Sequence, residues 1–377
     1  MARVSDAIPT IEIPDSLKPV DGRFGSGPSL VRPEAVEALA AAAPTYLGTS
    51  HRQEPVKRVV GSLRTGLSEL FALPDDYEIL LGNGGTTGFW DAAVFGLIDH
   101  KSQHLSFGEF SSKFAAAVEG APHLDAPTVI RTDPGTHPDA VAEAGVDLYA
   151  FTHNETSTGV MMPLTRPATE GLVAVDATSG AGGLRFDPSE VDVYYFAPQK
   201  ALASDGGLWL AACSPAAIER IESVAASDRW IPASLDLKTA LDNSRKDQTY
   251  NTPALATIFL ADHQVRWFND NGGMEFSAGR CDRSAETIYG WAEASAVATP
   301  FVTDPSRRSR TVATIDLAGS IDATTVSAVL RANGILDTDS YRKLGRNQLR
   351  VALYPAIDPD DVAALCACLD FVIDRLA

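Results

Sequence analysis

Short apolar segments alternate with segments of helical periodicity over most of the first 270 residues, and this rhythm restricts the fold more than any other feature. The apolar segments carry few charges, as strands buried on both faces do. They lie at 77–81, 102–107, 128–131, 147–152, 172–176, 191–197 and 207–213. Strands that alternate with helices favour a parallel sheet. We therefore predict an α/β fold with a mostly parallel sheet that helices cover on both sides.

Helical periodicity and a change of rhythm predict the domain organisation. Helices are predicted at 34–43, 56–71, 88–97, 111–119, 138–144, 254–270 and 277–296. After residue 300 the predicted order is strand, helix, strand, helix, at 311–317, 323–332, 347–354 and 358–375. The segment 1–27 is rich in proline, glycine and charge. We predict an N-terminal arm at 1–27, a large domain at 28–271 and a smaller α+β domain at 272–377.

The net charge of −18 argues against two classes of partner. Nucleic acids and anionic membranes are polyanions and are repelled by an acidic protein, so we expect neither as a partner. The four cysteines have no metal-binding spacing and are expected to be free thiols of a reducing compartment. No apolar leader or 18-residue apolar run is found, and we expect a cytoplasmic protein. His100 and His104 have a metal-like spacing but lack a carboxylate-rich context, so we predict no metal site there.

A glycine-rich turn follows the first predicted strand. The residues Gly82-Asn83-Gly84-Gly85-Thr86-Thr87 lead from this strand into a helix. Free backbone N–H groups, a helix N-terminus and two hydroxyls together suit a phosphate group. The turn matches neither of the common nucleotide-binding glycine motifs. Taken alone, it fits a phosphate cradle and a simple tight turn about equally well.

Two charged residues follow neighbouring predicted strands. Asp176 ends the strand 172–176, and Lys200 comes shortly after the strand 191–197. By itself, Asp176 is better explained as a helix cap and Lys200 as a surface charge. Ligands of open α/β sheets bind at the carboxyl edge of the strands, and a desolvated lysine there becomes nucleophilic. Together with the glycine turn, an acid and an amine are the groups that hold pyridoxal 5′-phosphate.

Several motifs resemble those of one enzyme family. They are Arg23-Phe24-Gly25-Ser26-Gly27-Pro28, Ser50-His51-Arg52, Asn154-Glu155-Thr156-Ser157-Thr158-Gly159, Val175-Asp176-Ala177-Thr178-Ser179, Pro198-Gln199-Lys200, Tyr250-Asn251-Thr252-Pro253 and Leu349-Arg350-Val351. In this order they resemble the class V, fold type I aminotransferases, and within them the actinobacterial phosphoserine aminotransferases. The resemblance extends over nearly the whole chain. It implies the aspartate aminotransferase-like fold, with a seven-stranded sheet in the large domain.

The resemblance implies a role for individual residues around the cofactor. Lys200 would form a Schiff base with pyridoxal 5′-phosphate, and Asp176 would pair with the pyridinium nitrogen. Thr156 would bind the phenolic oxygen, and Phe110 would stack on the ring in a place where the family usually has tryptophan. The cofactor phosphate would be held by Gly85, Thr86, Thr178 and Gln199, and by Asn251 and Thr252 of a neighbouring subunit.

The same resemblance implies the substrates and a shared active site. The expected reaction is a reversible, ping-pong transfer of the amino group from L-glutamate to 3-phosphohydroxypyruvate, which yields O-phospho-L-serine and 2-oxoglutarate. Arg350 would bind the substrate α-carboxylate. Arg342 would bind the substrate phosphate with His51 and Arg52 of the neighbouring subunit, so a homodimer is expected. The sequence leaves open whether 3-hydroxy-2-oxo-4-phosphooxybutanoate, a substrate of vitamin B6 synthesis, is also used.

Two positions depart from the family pattern, and other functions remain as alternatives. Tyr341 stands where the family often has histidine, and Thr86-Thr87 replaces an arginine that some relatives have in the phosphate turn. The nearest alternative is another class V aminotransferase of the alanine–glyoxylate type. A cysteine desulfurase ranks lower, because no cysteine lies near the predicted site. A non-enzymatic anion-binding protein is the alternative from a different class.

Overall fold

The computed structural model describes residues 9–376, so residues 1–8 of the predicted arm and Ala377 lie outside the described part. The strands are β1 (Glu78–Asn83), β2 (Ser102–Ser106), β3 (Thr128–Arg131), β4 (Leu148–Thr152), β5 (Asn154–Glu155), β6 (Val160–Met161), β7 (Leu172–Asp176), β8 (Val193–Phe196), β9 (Leu208–Cys213), β10 (Ala298–Pro300), β11 (Val312–Leu317) and β12 (Gln348–Ala352). The helices are α1 (Pro33–Tyr46), α2 (Glu54–Leu70), α3 (Gly85–Gly96), α4 (Glu109–Glu119), α5 (Pro215–Ala225), α6 (Leu237–Ser244), α7 (Leu255–Asp270), α8 (Gly273–Ala294), α9 (Ala323–Ala332) and α10 (Pro359–Leu376).

A seven-stranded sheet forms the centre of the fold, with the strand order β1-β9-β8-β7-β4-β2-β3. The pairs from β8 to β3 are all parallel, and β9 is antiparallel to both of its neighbours. The sheet is therefore mostly parallel, and the prediction of an α/β fold with such a sheet is confirmed. The carboxyl ends of β1, β2, β4, β7 and β8 all meet at one edge.

Helices cover both faces of this sheet, which explains why its strands read as continuous apolar runs. One face packs against α2 and α7, with Val175 and Phe196 among the sheet residues in that core. The other face packs against α3, α4, α5 and α6, with Ala174 and Tyr195 in its core. Consecutive strand residues alternate between the two faces, so each strand must be apolar on both sides.

A smaller antiparallel sheet, β10-β11-β12, follows in the last third of the chain. Its core includes residues of α8, α9 and α10. The N-terminal segment around Phe24 also connects to this unit, because the Phe24 amide donates to the carbonyl of Leu336 and the Phe24 carbonyl accepts from the amide of Ala352. The domain boundaries at residues 27 and 271 stay a prediction.

One predicted helix is wrong. The segment 138–144 contains neither helix nor strand, because side chains of neighbouring strands satisfy its backbone groups. Gln103 bonds both the amide and the carbonyl of Val141, at 3.0 and 2.9 Å, and the Tyr149 hydroxyl accepts from the amide of Glu143 at 2.9 Å. Such side-chain bonds compete with the helical pattern. Helices α5 and α6 were not predicted. Within residues 9–376, no helix is long and apolar enough to cross a bilayer.

Candidate active site

Two parallel strands deliver the predicted acid and amine to the same edge of the sheet. β7 ends at Asp176, which pairs in register with Tyr195 of the adjacent β8. Lys200 lies on a tight loop, four residues after the end of β8. Both side chains are buried, with 4% of Asp176 and 7% of Lys200 exposed. The parallel register therefore places both groups at the mouth of the sheet.

The Lys200 amine is held by a chain of hydroxyl groups. Its Nζ donates to Oγ1 of Thr156 at 2.9 Å, and Thr156 donates to Oγ of Ser179 at 2.8 Å. Ser179 Oγ also accepts from the side-chain amide of Asn154 at 2.8 Å, and it donates to the backbone carbonyl of Asn154 at 2.9 Å. Each hydroxyl donates once and accepts once or twice along this chain. The amine consequently has a fixed direction within the cavity.

Burial changes the protonation of both charged groups. Desolvation lowers the pKa of Lys200 to about 8, opposed by the negative charge of Asp176 and assisted by the positive charge of Arg350. Desolvation likewise raises the pKa of Asp176, although the Thr178 hydrogen bonds oppose the rise. The Thr178 amide donates to Asp176 at 2.9 Å. A neutral amine near neutral pH is the form that attacks carbonyl carbon.

A cavity of about 500 Å³ opens over these groups at the carboxyl edge of the sheet. Nine of the predicted site residues line it, and they come from six separate parts of the chain. They are Gly85, Thr86, Phe110, Thr156, Asp176, Thr178, Gln199, Lys200 and Arg350. The fold therefore assembles most of the predicted site within one chain.

The glycine turn forms one end of this cavity. Gly84 precedes α3 with φ 111°, a left-handed conformation that glycine adopts without strain. Within the described residues, no side chain caps the first turn of α3. At this end the Oγ1 atoms of Thr86 and Thr178 lie 2.7 Å apart. Uncapped amides at a helix N-terminus, beside two hydroxyls, are donors suited to a phosphate.

Arg350 and Phe110 line other parts of the same cavity. Arg350 lies in β12, and its Nη1 donates weakly to the carbonyl of Thr156 at 3.4 Å. Its guanidinium carbon lies 5.3 Å from the ring centre of Tyr341, which also lines the cavity. Phe110 begins α4, and the Lys200 Nζ lies 5.1 Å from its ring centre. A flat ring placed between Phe110 and the strand side would thus meet an aromatic face.

Several buried polar atoms around the cavity lack a protein partner. Within the described part of the chain, no hydrogen bond is made by Ser26 Oγ, Asn154 Oδ1, Gln199 Oε1 or Arg350 Nε. All four residues line the cavity. Buried polar groups without partners are costly, so they indicate a polar ligand. Phosphate donors, an acid, an amine and an aromatic wall fit pyridoxal 5′-phosphate.

The remaining predicted site residues lie outside this cavity. His51 and Thr252 contact each other, with 3.4 Å between Nδ1 and Oγ1, and the side chain of Asn83 donates to Asn251. Arg52 is exposed. Arg342 lines an adjoining cavity of about 620 Å³, which shares Arg350 and the 26–28 segment with the first. This single chain therefore does not bring these five residues onto the Lys200 cavity.

Three residues near the cavity were not predicted from the sequence. Trp90 and Lys113 line it, and Glu155 lies behind its aromatic wall. The periodicity of α3 and α4 could have placed Trp90 and Lys113 near the carboxyl edge, since both lie in the first two turns. Glu155 lies within the motif 154–159, but nothing in that motif indicates which groups donate to its carboxylate.

Comparison with known proteins places the chain in a family. Residues 24–338 match the model of the aminotransferase class-V family. The phosphoserine aminotransferase of Nocardioides sp. is 59% identical over 370 residues, which cover 97% of this chain and 99% of the relative.

Solved structures share the fold at low identity. The phosphoserine aminotransferase of Cytophaga hutchinsonii superposes with a TM-score of 0.85 and 23% identity, covering 93% of this chain and 99% of its own. The phosphoserine aminotransferase of Bacillus circulans subsp. alkalophilus gives a TM-score of 0.82 and 20% identity, covering 94% and 99%. These structures establish the aspartate aminotransferase-like fold. On the strength of the family model and the sequence relative, this chain belongs to the class-V aminotransferases, in the phosphoserine aminotransferase branch.

Proposed function

We propose that this chain is a phosphoserine aminotransferase of L-serine biosynthesis that depends on pyridoxal 5′-phosphate. It exchanges the amino group of L-glutamate for the oxo group of 3-phosphohydroxypyruvate, which yields 2-oxoglutarate and O-phospho-L-serine. One observation carries the proposal: the Lys200 amine, with a pKa lowered to about 8, faces a polar cavity beside Asp176. The 59% identity to a phosphoserine aminotransferase supports the choice of substrates.

The residues around Lys200 would hold the cofactor at its phosphate, ring and aldehyde ends. Gly85, Thr86, Thr178 and Gln199 would hold the phosphate, and Asp176, Thr156 and Phe110 would hold the ring; all seven line the cavity. Lys200 would hold the aldehyde end covalently. When bound, pyridoxal phosphate supplies a carbonyl carbon for the amino group and a ring that withdraws electrons from the substrate α-carbon.

Lys200 also moves the proton that the reaction requires. A neutral Nζ can take the proton from the substrate α-carbon, and the charged form can return it in the second half of the reaction. Thr156 holds the amine in one direction at 2.9 Å, and burial lowers the pKa of the amine to about 8, so that part of it is neutral at physiological pH. A positioned general base of matched pKa contributes about 10²–10⁴ to the rate.

Arg350 would bind the α-carboxylate that both substrates share. Its guanidinium is half-buried, its Nε has no partner among the described residues, and it faces the same cavity as Lys200. A guanidinium can bind a carboxylate through two parallel hydrogen bonds. Arg342, in the adjoining cavity that Arg350 also lines, would bind the distal phosphate or carboxylate.

We propose that the working unit is a homodimer, in which one protomer completes the other's site. The segments around His51 and Asn251 contact each other on the outside of the cavity. The neighbouring Tyr250 has 50% of its surface exposed, and tyrosine is among the residues enriched at protein–protein interfaces. His51 and Arg52 would then add cationic groups to the phosphate subsite of the partner.

We further propose a cytoplasmic location, which the four free and buried thiols support. Thiols are kept reduced in the cytoplasm, whereas secreted proteins usually pair theirs. The oxidation state of the cysteines in the purified protein tests this proposal. Mass spectrometry of the alkylated protein should find four free thiols.

The function is tested by the visible absorption spectrum of the purified holoenzyme. L-Glutamate should convert the bound cofactor to its amino form and remove the visible band, and 3-phosphohydroxypyruvate should then restore it. Glyoxylate, offered in place of 3-phosphohydroxypyruvate, separates an alanine–glyoxylate type enzyme from the proposed one. A colourless protein, or a band that glutamate leaves unchanged, would contradict the proposed function.

A further inference from the structure

Glu155 is a fully buried carboxylate beside the aromatic wall of the cavity. Its relative exposure is 0%, and it lies in the two-residue strand β5. Within the described residues, no lysine, arginine or histidine forms an ion pair with it. The proposed reaction gives Glu155 no role. Burial of a carboxylate costs free energy, so a compensating role is expected.

The carboxylate is satisfied by donors from two segments. From α4 it accepts the amides of Phe110 at 3.1 Å and Ser111 at 2.9 Å, and the Ser111 hydroxyl at 2.9 Å. From its own turn it accepts the amide and hydroxyl of Ser157, at 3.2 and 2.7 Å. An anion at the N-terminus of a helix is favoured by the free amides and by the helix dipole. Glu155 therefore binds the first turn of α4 to the β5 turn.

These hydrogen bonds join the segment that carries Thr156 to the helix that carries Phe110, and both residues line the cavity. On one side, the residue after Glu155 is Thr156, whose hydroxyl accepts from Lys200. On the other side, Glu155 receives the amide of Phe110, whose ring centre lies 5.1 Å from the Lys200 amine. The distance between ring and amine thus depends on one carboxylate.

The sequence keeps space for this carboxylate. A Cβ atom at Gly108 would lie 2.3 Å from Cγ of Glu155 and 2.7 Å from Oγ of Ser157, closer than real contacts allow. Glycine is therefore required at position 108 by the approach of the Glu155 side chain. Gly108 and Glu155 have no assigned part in the proposed reaction, and both take part in this one contact.

We propose that Glu155 is a positioning residue of the transaminase, which fixes Phe110 against the ring of the bound cofactor and at a set distance from Lys200. This inference rests on the proposed function, since Phe110 needs a ring to contact. Displacing a positioned group by about 1 Å can cost on the order of 10² in rate. Binding of the substrate carboxylate depends instead on Arg350, which Glu155 does not touch.

The test compares the E155Q and E155D holoenzymes with the wild type. In E155Q, the amide nitrogen must face donor N–H groups, so α4 should move; E155D keeps the charge and loses reach. We expect the visible circular dichroism of the bound cofactor to weaken, its Kd to rise about tenfold, and kcat to fall about 10–100-fold with the KM for glutamate unchanged. A role in folding alone would change the melting temperature and leave the circular dichroism per bound cofactor as in the wild type.

E119Q is the matched control, because Glu119 lies at the other end of α4 and is exposed. It should match the wild type in all three measurements. If E155Q does not fold, S157A removes one donor to the carboxylate and should weaken the visible circular dichroism in the same direction. Wild-type dichroism, Kd and kcat in the folded variants would overturn the inference. If the wild type itself transaminates, that failure leaves the proposed function standing.

Discussion

The Nζ of Lys200 and the Oγ1 of Thr156 lie 2.9 Å apart, although Lys200 follows β8 of the seven-stranded sheet and Thr156 follows β5 of the two-stranded sheet. Thr156 passes the hydrogen bond on to Ser179, so the amine is fixed by a chain of hydroxyls and not by a single counter-ion. Asp176 affects the same amine through space. This arrangement directs the amine, and burial lowers its pKa to about 8, so a larger fraction is neutral at physiological pH than for a solvated lysine.

Replacing Lys200 by alanine should abolish transamination and the visible band of the covalently held cofactor. Without the amine, the proton at the substrate α-carbon has no positioned base, so the rate should fall by about 10²–10⁴ or more. Absorption spectroscopy and single-turnover kinetics with glutamate check this result. K246A is the control, since Lys246 is exposed on the far loop. A K200A enzyme that keeps both the band and turnover would remove Lys200 from its role.

Binding of the cofactor to the apoprotein should accelerate as the pH rises through about 8. The pKa of Lys200 is lowered to about 8 by burial, and neutral amine is the reactive form, so its fraction grows with pH. Asp176 and Glu155 oppose the lowering, and Arg350 assists it. Stopped-flow absorbance at several pH values gives the midpoint. A midpoint near 10, as for a solvated lysine, would contradict the burial of the amine.

Asp176→Asn should shift that midpoint below the wild-type value. Asn keeps an oxygen for the Thr178 amide but removes the negative charge that raises the pKa of Lys200, so the amine loses its proton at a lower pH. The proton abstraction itself should slow by about 10²-fold, because the charge that pairs with the ring is gone. Stopped-flow binding and glutamate single turnovers check both. An unchanged midpoint together with normal turnover would separate Asp176 from Lys200.

The sequence predicted the Asp176–Lys200 edge because parallel strands deliver their carboxyl ends together. It did not predict Arg350 at the cavity, except through the family resemblance. Arg350 in β12 lies 194 residues after Thr156, and only the packing of the second sheet brings Arg350 to 3.4 Å from the Thr156 carbonyl. Contacts at such separation follow from the complete fold, whereas strand ends follow from local periodicity.

Two other failures have the same physical origin. The predicted helix at 138–144 has helical periodicity, but Gln103 and Tyr149 satisfy its backbone from the sheet. Glu155 was quoted within a motif, and its five donors became visible only when α4 was placed against β5. Tertiary hydrogen bonds override local patterns in both cases.

Arg350→Lys should weaken the binding of both substrates by a similar factor. Lysine keeps a positive charge but cannot bind the carboxylate through two parallel bonds, so KM should rise about tenfold for L-glutamate and for 3-phosphohydroxypyruvate. Steady-state kinetics with each substrate check this result. R375K is the control, since Arg375 is exposed in the last turn of α10 and lines neither cavity. A selective loss for the phosphorylated substrate would move Arg350 to the phosphate subsite.

Mixing two inactive variants should restore activity, if the partner protomer completes each site. In a K200A–R52A heterodimer, the R52A protomer has its own Lys200 and would receive Arg52 from the K200A protomer, so one of its two sites is complete. After unfolding and refolding the mixture at equal amounts, we expect about one quarter of wild-type activity, because half of the dimers are mixed and each has one good site.

If Arg52 instead serves the site of its own chain, no protomer in the mixture has both residues and activity stays at background. A K200A variant refolded alone, and R52A refolded alone, give that background. Size-exclusion chromatography with light scattering shows whether dimers form. A dimer without restored activity would show that His51 and Arg52 do not complete the site of the partner protomer. A monomer would overturn the shared site itself.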